Sequence, residues 1–281
     1  MIGIYEKTME HETIKKYIIL SLLPGFGVIS QVRLLGICEG IEGCYLLSFD
    51  ELMRRDLSVD AGSRLGARRI ETLCNMRFSR DFIEKAKLII DNCAKKNIYV
   101  ITREDDRYPD RFKTIIDMPA TLYIKGDLSI NERKQSVGVV GARRCSRKGK
   151  NDAISVTERE VESGSAIISG MAKGIDSYAH TAALNNRGYT IAVLGNRPDI
   201  CYPGEHMKLY AEIERHGCIL SEYPPGTEPK VYSFPRRNRL IAALSDLVYV
   251  IDVGRNSGTA STVSYCGKYK RPVRMIDPKM E

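Results

Sequence analysis

From residue 81 onward, short apolar runs alternate with helical patterns of about ten to fifteen residues, and this alternation constrains the fold more than any other feature. Runs near Ile98–Ile101, Val137–Val140, Ala166–Ile168, Thr190–Leu194, Cys218–Leu220, Leu247–Ile251 and Val273–Ile276 read as strands. Helical spacing predicts helices over Asp81–Lys96, Gly149–Glu162, Ile175–Asn185, Glu205–Arg215, Arg237–Leu244 and Thr259–Lys268. Strands separated by helices form right-handed βαβ units and so a mostly parallel sheet. Near-continuous apolar strands such as Ile191-Ala-Val-Leu194 fit a sheet covered on both faces. The expected class is therefore α/β, a doubly wound sheet.

Residues 12–80 read as helical instead. Ile14, Tyr17, Ile18 and Leu22 recur at helical spacing, Leu23-Pro-Gly-Phe-Gly27 punctuates, and Val28–Ile37 resumes the pattern. Two domains are expected, a small all-α domain over 1–80 and the α/β domain over 81–281. The Leu23–Gly27 segment admits two readings. It resembles a helix-hairpin-helix element, which can present backbone N–H groups to a phosphate, and it equally suits a plain turn between packed helices.

No apolar run reaches about 18 residues, so no transmembrane helix is expected. The amino-terminal stretch lacks a signal-peptide core, which makes the cytoplasm the expected compartment. None of the eight cysteines forms a CxxC pair, so no structural zinc site is expected and the thiols are read as reduced. The net charge is +8. Residues 1–130 carry 20 Lys+Arg against 19 Asp+Glu, whereas residues 131–281 carry 23 against 16. A positive excess confined to the α/β part points to nucleic acid, nucleotides or an acidic surface as partner.

In an open α/β sheet, ligands bind beyond the carboxyl ends of the strands. Four segments stand at such positions: Gly141-Ala-Arg-Arg-Cys-Ser146, Ser169-Gly-Met-Ala-Lys-Gly-Ile-Asp176, Phe234-Pro-Arg-Arg-Asn-Arg239 and Ser257-Gly-Thr259. Each joins small residues, which admit close backbone approach, to hydroxyls or cations beside a predicted helix N-terminus, a setting that favours an anion. Arg236, Arg237 and Arg239 fall at the first turn of one predicted helix. Arg143, Arg144, Arg147 and Lys148 crowd the entrance of another. Each such cation opposes the helix dipole by about 0.3–1 kcal/mol, so a negative ligand is expected to offset them. Asp176 is expected to cap the helix that follows it, and His180, one turn on, to be a hydrogen-bonded packing residue. Glu205, His206 and Glu222 have no partner that the sequence identifies. Neither Ser169 nor Ser221 sits in GxSxG, and no Walker GxxxxGK[ST] or GxGxxG occurs. No catalytic residue, metal site or cofactor is expected.

Taken in order, VVGARRCSRKG, ISGMAKGIDSYAHTAAL, TIAVLG…D…YP, ILSEYPPG, FPRRNRLIAALSDLVYVID and SGTAST resemble the DNA-processing protein family, DprA/Smf. Upstream, ITREDDRYPDRFKTIIDMPATLYIKGDL resembles the family's lead-in, and the likeness covers about residues 97–276. The N-terminal helices are similar to the family's sterile-alpha-motif-like or helix-hairpin-helix-like module. The resemblance implies an extended Rossmann-like fold that binds single-stranded DNA without a nucleotide cofactor. It further implies shielding of incoming strands, help in loading the recombinase RecA, and a homodimer. Its phosphate-binding element falls on Gly141, Arg143 and Ser146, its glycine-lysine loop on Gly170, Lys173 and Gly174, and its RNR element on Arg237, Asn238 and Arg239. The SGT segment adds Ser257, Gly258 and Thr259. Arg143 is the expected first phosphate contact, and Arg144, Arg147, Lys148 and Lys150 supply general field. Ala142 departs from the family's usual Ser, and Arg197-Pro198 from its usual Gly and apolar residue. Asp277-Pro278 departs from the family's usual Pro-Gly, and no C-terminal winged-helix domain is expected, nor the functions that need one.

Aromatic residues are 7% of the chain with no Trp, so phosphate contacts are expected to dominate affinity. Phe234, Tyr232 and Tyr178 are the candidate stacking platforms. A rival reading is a nucleotide-binding protein or nucleotide N-glycosidic hydrolase on a lysine-decarboxylase-like scaffold, whose signature is PGGxGTxxE. Gly258-Thr259 matches part of that signature, but Thr262 stands where the catalytic Glu belongs. A pure interaction scaffold would show no nucleic-acid affinity at low salt.

Overall fold

The computed structural model describes residues 2–252 and 258–276, with side chains described from residue 11. The chain divides into two compact units, one formed by Met1–Tyr108 with Ile116–Leu122 and the other by Pro109–Ile115 with Tyr123–Glu281.

The first unit holds helices α1 (Ile2–Leu22), α2 (Val28–Cys38), α3 (Ile41–Leu46), α4 (Phe49–Ser58), α5 (Ala67–Met76) and α6 (Arg80–Lys95), then strand β1 (Tyr99–Thr102). Tyr17, Ile18, Leu34, Leu52, Ile70 and Leu73 are fully buried in one cluster, and Ala86 of α6 joins it. Helix α4 opens with a reciprocal cap. Glu51 N donates to Ser48 Oγ at 3.3 Å, and Ser48 N donates to the Glu51 carboxylate at 2.8 Å. In the turn between α1 and α2, Gly25 takes φ 79°, which a side chain would disfavour. Gln31 Nε2 donates to Phe26 O at 2.9 Å and Arg69 Nε donates to Gly25 O at 3.1 Å, so the turn is anchored from within its own unit.

The second unit carries α7 (Asp110–Lys113), β2 (Thr121–Gly126), β3 (Ser136–Gly141), α8 (Arg147–Glu162), β4 (Ala166–Ser169), α9 (Ile175–Asn185), β5 (Thr190–Leu194), α10 (Met207–His216), β6 (Cys218–Ser221), α11 (Ser233–Leu244), β7 (Leu247–Ile251), α12 (Ala260–Lys268) and β8 (Val273–Ile276). β2 begins in the first unit and enters the second at Tyr123. Its strands lie in the order β2-β6-β5-β4-β3-β7-β8. The β2–β6 pair is antiparallel and the others are parallel. The α/β class and mostly parallel sheet expected from the alternating pattern are what the chain forms. β2 was not expected, because no α-helix separates it from β3 and it falls outside the strand–helix alternation.

Helix α11 begins at Ser233, not at Arg237. Pro235 fits its first turn, where the missing N–H costs nothing. Arg236 is therefore its fourth residue, closing the first turn, and Arg237 its fifth, beyond the turn where the dipole penalty is largest. β3 pairs with β4 on one side and β7 on the other. The crossovers leaving β3 and entering β7 run to opposite sides, so the sheet has its switch point between these two strands, where a crevice is expected. Among the described residues, no helix is long and apolar enough to cross a membrane.

Candidate functional site

A cleft of about 620 Å³ opens at the switch point. Its walls are Gly141 at the end of β3 with Ala142 to Arg144 after it, Ala172 and Asp176, the α11 residues Phe234, Arg237 and Asn238, and Gly258–Thr259 with Thr262 at the start of α12. All four strand-end segments reach it. Ser257 lies outside the described residues.

Close approach explains the glycines here. A Cβ on Gly141 would collide with Ile251 O and the Ile175 side chain, and one on Gly170 would meet the Arg237 guanidinium at 2.5 Å and Asp176 Oδ2 at 2.8 Å. Gly174 takes φ 77° against the Ala142 and Arg143 carbonyls. Ala142 N donates to Ile251 O and Ile175 N donates to Ala142 O, which ties the Arg143 loop to β7 and α9.

The arginines divide sharply. Arg143 and Arg144 line the cleft and are exposed, and Arg147 is exposed on the first turn of α8. Among the described residues none of the three has an ion-pair partner. Arg237 is only 6% exposed. Its Nη1 donates to Gly170 O at 2.7 Å and to Val193 O, and its Nε donates to Asn238 Oδ1 at 3.1 Å. Arg239, 3% exposed, donates to the Glu222 carboxylate at 2.5 and 3.2 Å and does not line the cleft. Arg236 lies 3.7 Å from the same carboxylate. Lys173 is exposed and pairs with Glu205 at 2.5 Å. Asn238 Nδ2 donates to Ser261 Oγ at 2.8 Å and Gly258 O at 3.3 Å, fixing the turn before α12.

The offsetting negative charge expected for the crowded helix entrances is in part the protein's own. Glu222 serves Arg236 and Arg239. At α8, Asp252 Oδ2 accepts from Ser146 N at 2.5 Å, while Ser146 Oγ caps the helix by accepting from Gly149 N at 3.0 Å. Asp176 is not the cap of α9 that its position suggested, because Gly174 occupies that place without a side-chain bond. Its Oδ2 instead accepts from Gly170 N at 3.1 Å and Ala172 N at 3.3 Å, holding the loop after β4. Burial pushes the Asp176 carboxyl pKa up, and the Arg237 charge pulls it back.

His180 is the packing residue expected. Thr190 Oγ1 donates to Ile167 O, so His180 Nδ1–H donates to Thr190 Oγ1 at 2.7 Å. Burial first, then the charges of His206 and Arg237, lower its pKa to about 3. The unfolded chain takes up this proton near pH 6.5 and the folded chain does not. Stability contributed by neutral His180 is therefore full above pH 6.5 and is lost as pH falls toward 3. In urea titrations, His180→Leu is expected to flatten the pH dependence of stability across that window.

Beside the cleft, a smaller recess of about 70 Å³ shares Arg143, Ala172, Phe234 and Arg237. Tyr202, 56% exposed, lies on it with its ring 5.3 Å from that of Phe234. The sequence places Tyr202 in the YP pair of the family motif but marks only Phe234, Tyr232 and Tyr178 as stacking platforms; the structure adds Tyr202 to Phe234. Tyr178 stands under Lys150 at 4.9 Å, outside the cleft. Among the described residues no group of three or more His, Cys, Asp or Glu is placed to hold a metal ion.

The family model for DNA recombination-mediator protein A matches residues 99–281. Protein Smf of Synechocystis is 38% identical over 187 residues, which cover 66% of this chain and 47% of that protein. The chain spans about half to three-fifths of the length of the curated relatives it matches first. The X-ray structure of DNA processing protein A from Streptococcus pneumoniae superposes with a TM-score of 0.76 at 30% identity, covering 96% of this chain and 87% of that one. The Helicobacter pylori DNA processing protein A, studied for its single-stranded DNA binding mode, gives a TM-score of 0.60 at 30% identity over 66% of this chain and 82% of that one.

Proposed function

We propose that this chain, which belongs to the DNA recombination-mediator protein A family, binds single-stranded DNA at the mouth of the β3–β7 cleft. One observation carries the reading. Arg143 and Arg144 stand at the cleft without ion-pair partners among the described residues, while the neighbouring loop amides are already occupied by Asp176 and Asp252. Among the described residues no side chain caps the start of α12, and a helix N-terminus beside the cleft favours a phosphate. The phosphate seat thus lies between Arg143 and Gly258–Thr259. Arg237 and Asn238 build its floor, and Arg239 acts from behind through Glu222. Lys173 and Ser146 reach the strand only by giving up Glu205 or sharing the α8 cap. The H. pylori relative supports the choice of single-stranded DNA.

Tyr202 with Phe234 offers the adjacent base a stacking face. Tyr202→Ala is expected to weaken oligonucleotide binding by about 5- to 150-fold and to leave the salt slope unchanged, since no charge is lost. Fluorescence anisotropy with labelled oligonucleotides across a salt series checks this.

The same reading makes the protein a binder, not an enzyme. Asp176 is the one carboxylate among the described residues that line the cleft, and its Oδ2 is engaged by two backbone N–H groups. Thr262 occupies the wall where the hydrolase signature needs Glu. The deciding experiment titrates the chain with a labelled single strand in rising salt and, separately, incubates it with nucleoside monophosphates. Binding that falls steeply with salt and no released base are expected. Salt-independent binding, or steady release of free base, would overturn the proposal. Shielding of the strand, delivery to RecA, a homodimer and a cytoplasmic setting extend the proposal by family resemblance.

A further inference from the structure

An acidic side chain beside a polyanion site weakens binding through its charge, yet Asp252 sits at the base of the arginine loop. β7 ends at Ile251, and Asp252 then turns to φ 55°, a left-handed conformation uncommon outside glycine. This turn places its carboxylate on Ser146 N at 2.5 Å. Helix α8 makes room for it. Gly149 is buried in the first turn, and a Cβ there would meet the Asp252 Cβ and Oδ2 at 2.6 Å. A glycine inside a helix costs stability, so Gly149 marks a close approach that the fold requires.

The carboxylate also supplies what α8 lacks. Its first turn contains Arg147, Lys148 and Lys150 and no acid of its own. Asp252 brings the negative charge to that N-terminus from another element. The loop that carries Arg143 and Arg144 is thereby fastened at both ends to the end of β7. Ala142 N donates to Ile251 O at 3.3 Å at one end, and Ser146 N donates to Asp252 at the other.

Resting on the single-stranded DNA reading, we infer that Asp252 is a positioning residue for that binding, holding the Arg143 loop to the rim of the cleft, with Gly149 as the space that admits it. Positioning and plain electrostatics predict opposite signs. If Asp252 acted only through its charge, Asp252→Ala would tighten binding. As a positioning residue, Asp252→Ala weakens binding by about 10-fold, the size of one charge-assisted hydrogen bond. Asp252→Asn keeps an acceptor for Ser146 N and restores binding to wild-type level or better. Gly149→Ala leaves every charge in place and weakens binding to a similar extent by displacing the carboxylate.

The experiment measures affinity of the full chain for a short labelled single strand in wild type, Asp252→Ala, Asp252→Asn, Gly149→Ala, Arg143→Ala and the Arg143→Ala/Asp252→Ala double variant, with thermal unfolding as the fold control. A double variant that binds no more weakly than Arg143→Ala alone places Asp252 upstream of Arg143. Should Asp252→Ala fail to fold, the Gly149→Ala and Asp252→Asn pair carries the test. Unchanged or tighter binding by Asp252→Ala, strict additivity with Arg143→Ala, or unchanged binding by a folded Gly149→Ala overturns the inference. Absence of wild-type binding, or indifference to Arg143→Ala, overturns the single-stranded DNA reading instead.

Discussion

Replacing Arg143 with Ala is expected to weaken single-stranded DNA binding by about 10- to 100-fold at moderate salt. It is also expected to flatten the slope of log K against log salt by about 0.7, the share of one phosphate contact on a single strand. Arg143 is exposed at the junction of the cleft and the aromatic recess, and its loop is fixed by Ala142 N on Ile251 O. The guanidinium is thus held near its target while its head remains in water, so little protein contact is lost on substitution and the fold should be untouched. Arg144→Ala, one residue further along the rim, should show a smaller loss with a similar slope change, because it does not line the recess. Anisotropy titrations at four or five salt concentrations give both quantities. A loss of affinity with an unchanged slope would mean that Arg143 does not contact a phosphate.

The second large effect is on stability. Arg237→Ala is expected to cost about 3 kcal/mol or more, because it leaves the buried Gly170 and Val193 carbonyls without their donor and Asp176 without its opposing charge. For a unit of this size that lowers Tm by about 6–12 °C. Burial depresses the Arg237 pKa to about 10, and the Asp176 charge pulls it back up. Lysine should not rescue the site, since one ammonium cannot reproduce the planar fork that reaches both carbonyls and Asn238. Asp176→Asn in the Arg237→Ala background should recover part of the loss by removing the stranded carboxylate. Differential scanning fluorimetry reads the effect directly. A variant that melts like wild type yet loses DNA would make Arg237 a ligand contact instead of a strut.

These two arginines show where sequence reasoning reached and where it stopped. The strand ends were legible because a parallel sheet buried on both faces needs uninterrupted apolar runs, and Thr190–Leu194, Leu247–Ile251 and Val273–Ile276 match the observed strands residue for residue. The segments that face the cleft followed from the rule that crossovers leave the carboxyl ends of parallel strands. β2 was not legible, for it pairs antiparallel and no α-helix separates it from β3, so it stands outside the strand–helix alternation that marked the others. The start of α11 was misplaced by four residues, because Pro235 reads as a breaker in sequence and fits a first turn in space. The compact units also divide elsewhere than at residue 80, since Phe82, Ile83 and Ala86 of α6 pack with the N-terminal helices.

Charge was the subtler case. The sequence shows seven Arg and Lys residues at two helix entrances and invites an external anion for all of them. In space, distant carboxylates answer three of these, Arg236, Arg237 and Arg239, and a third carboxylate takes a helix-entrance amide. Glu222 arrives from the end of the strand before α11, Asp252 from the turn after β7, and Asp176 from the start of α9. Composition, periodicity and the order of the motifs determined the α/β class, the strand ends that carry function and the basic character of the site, because each is set by local spacing along one chain. Which arginine is buried, which is paired and which is left facing the cleft was decided only by the tertiary structure, because a charge is satisfied by whatever the fold brings within a few ångströms of it.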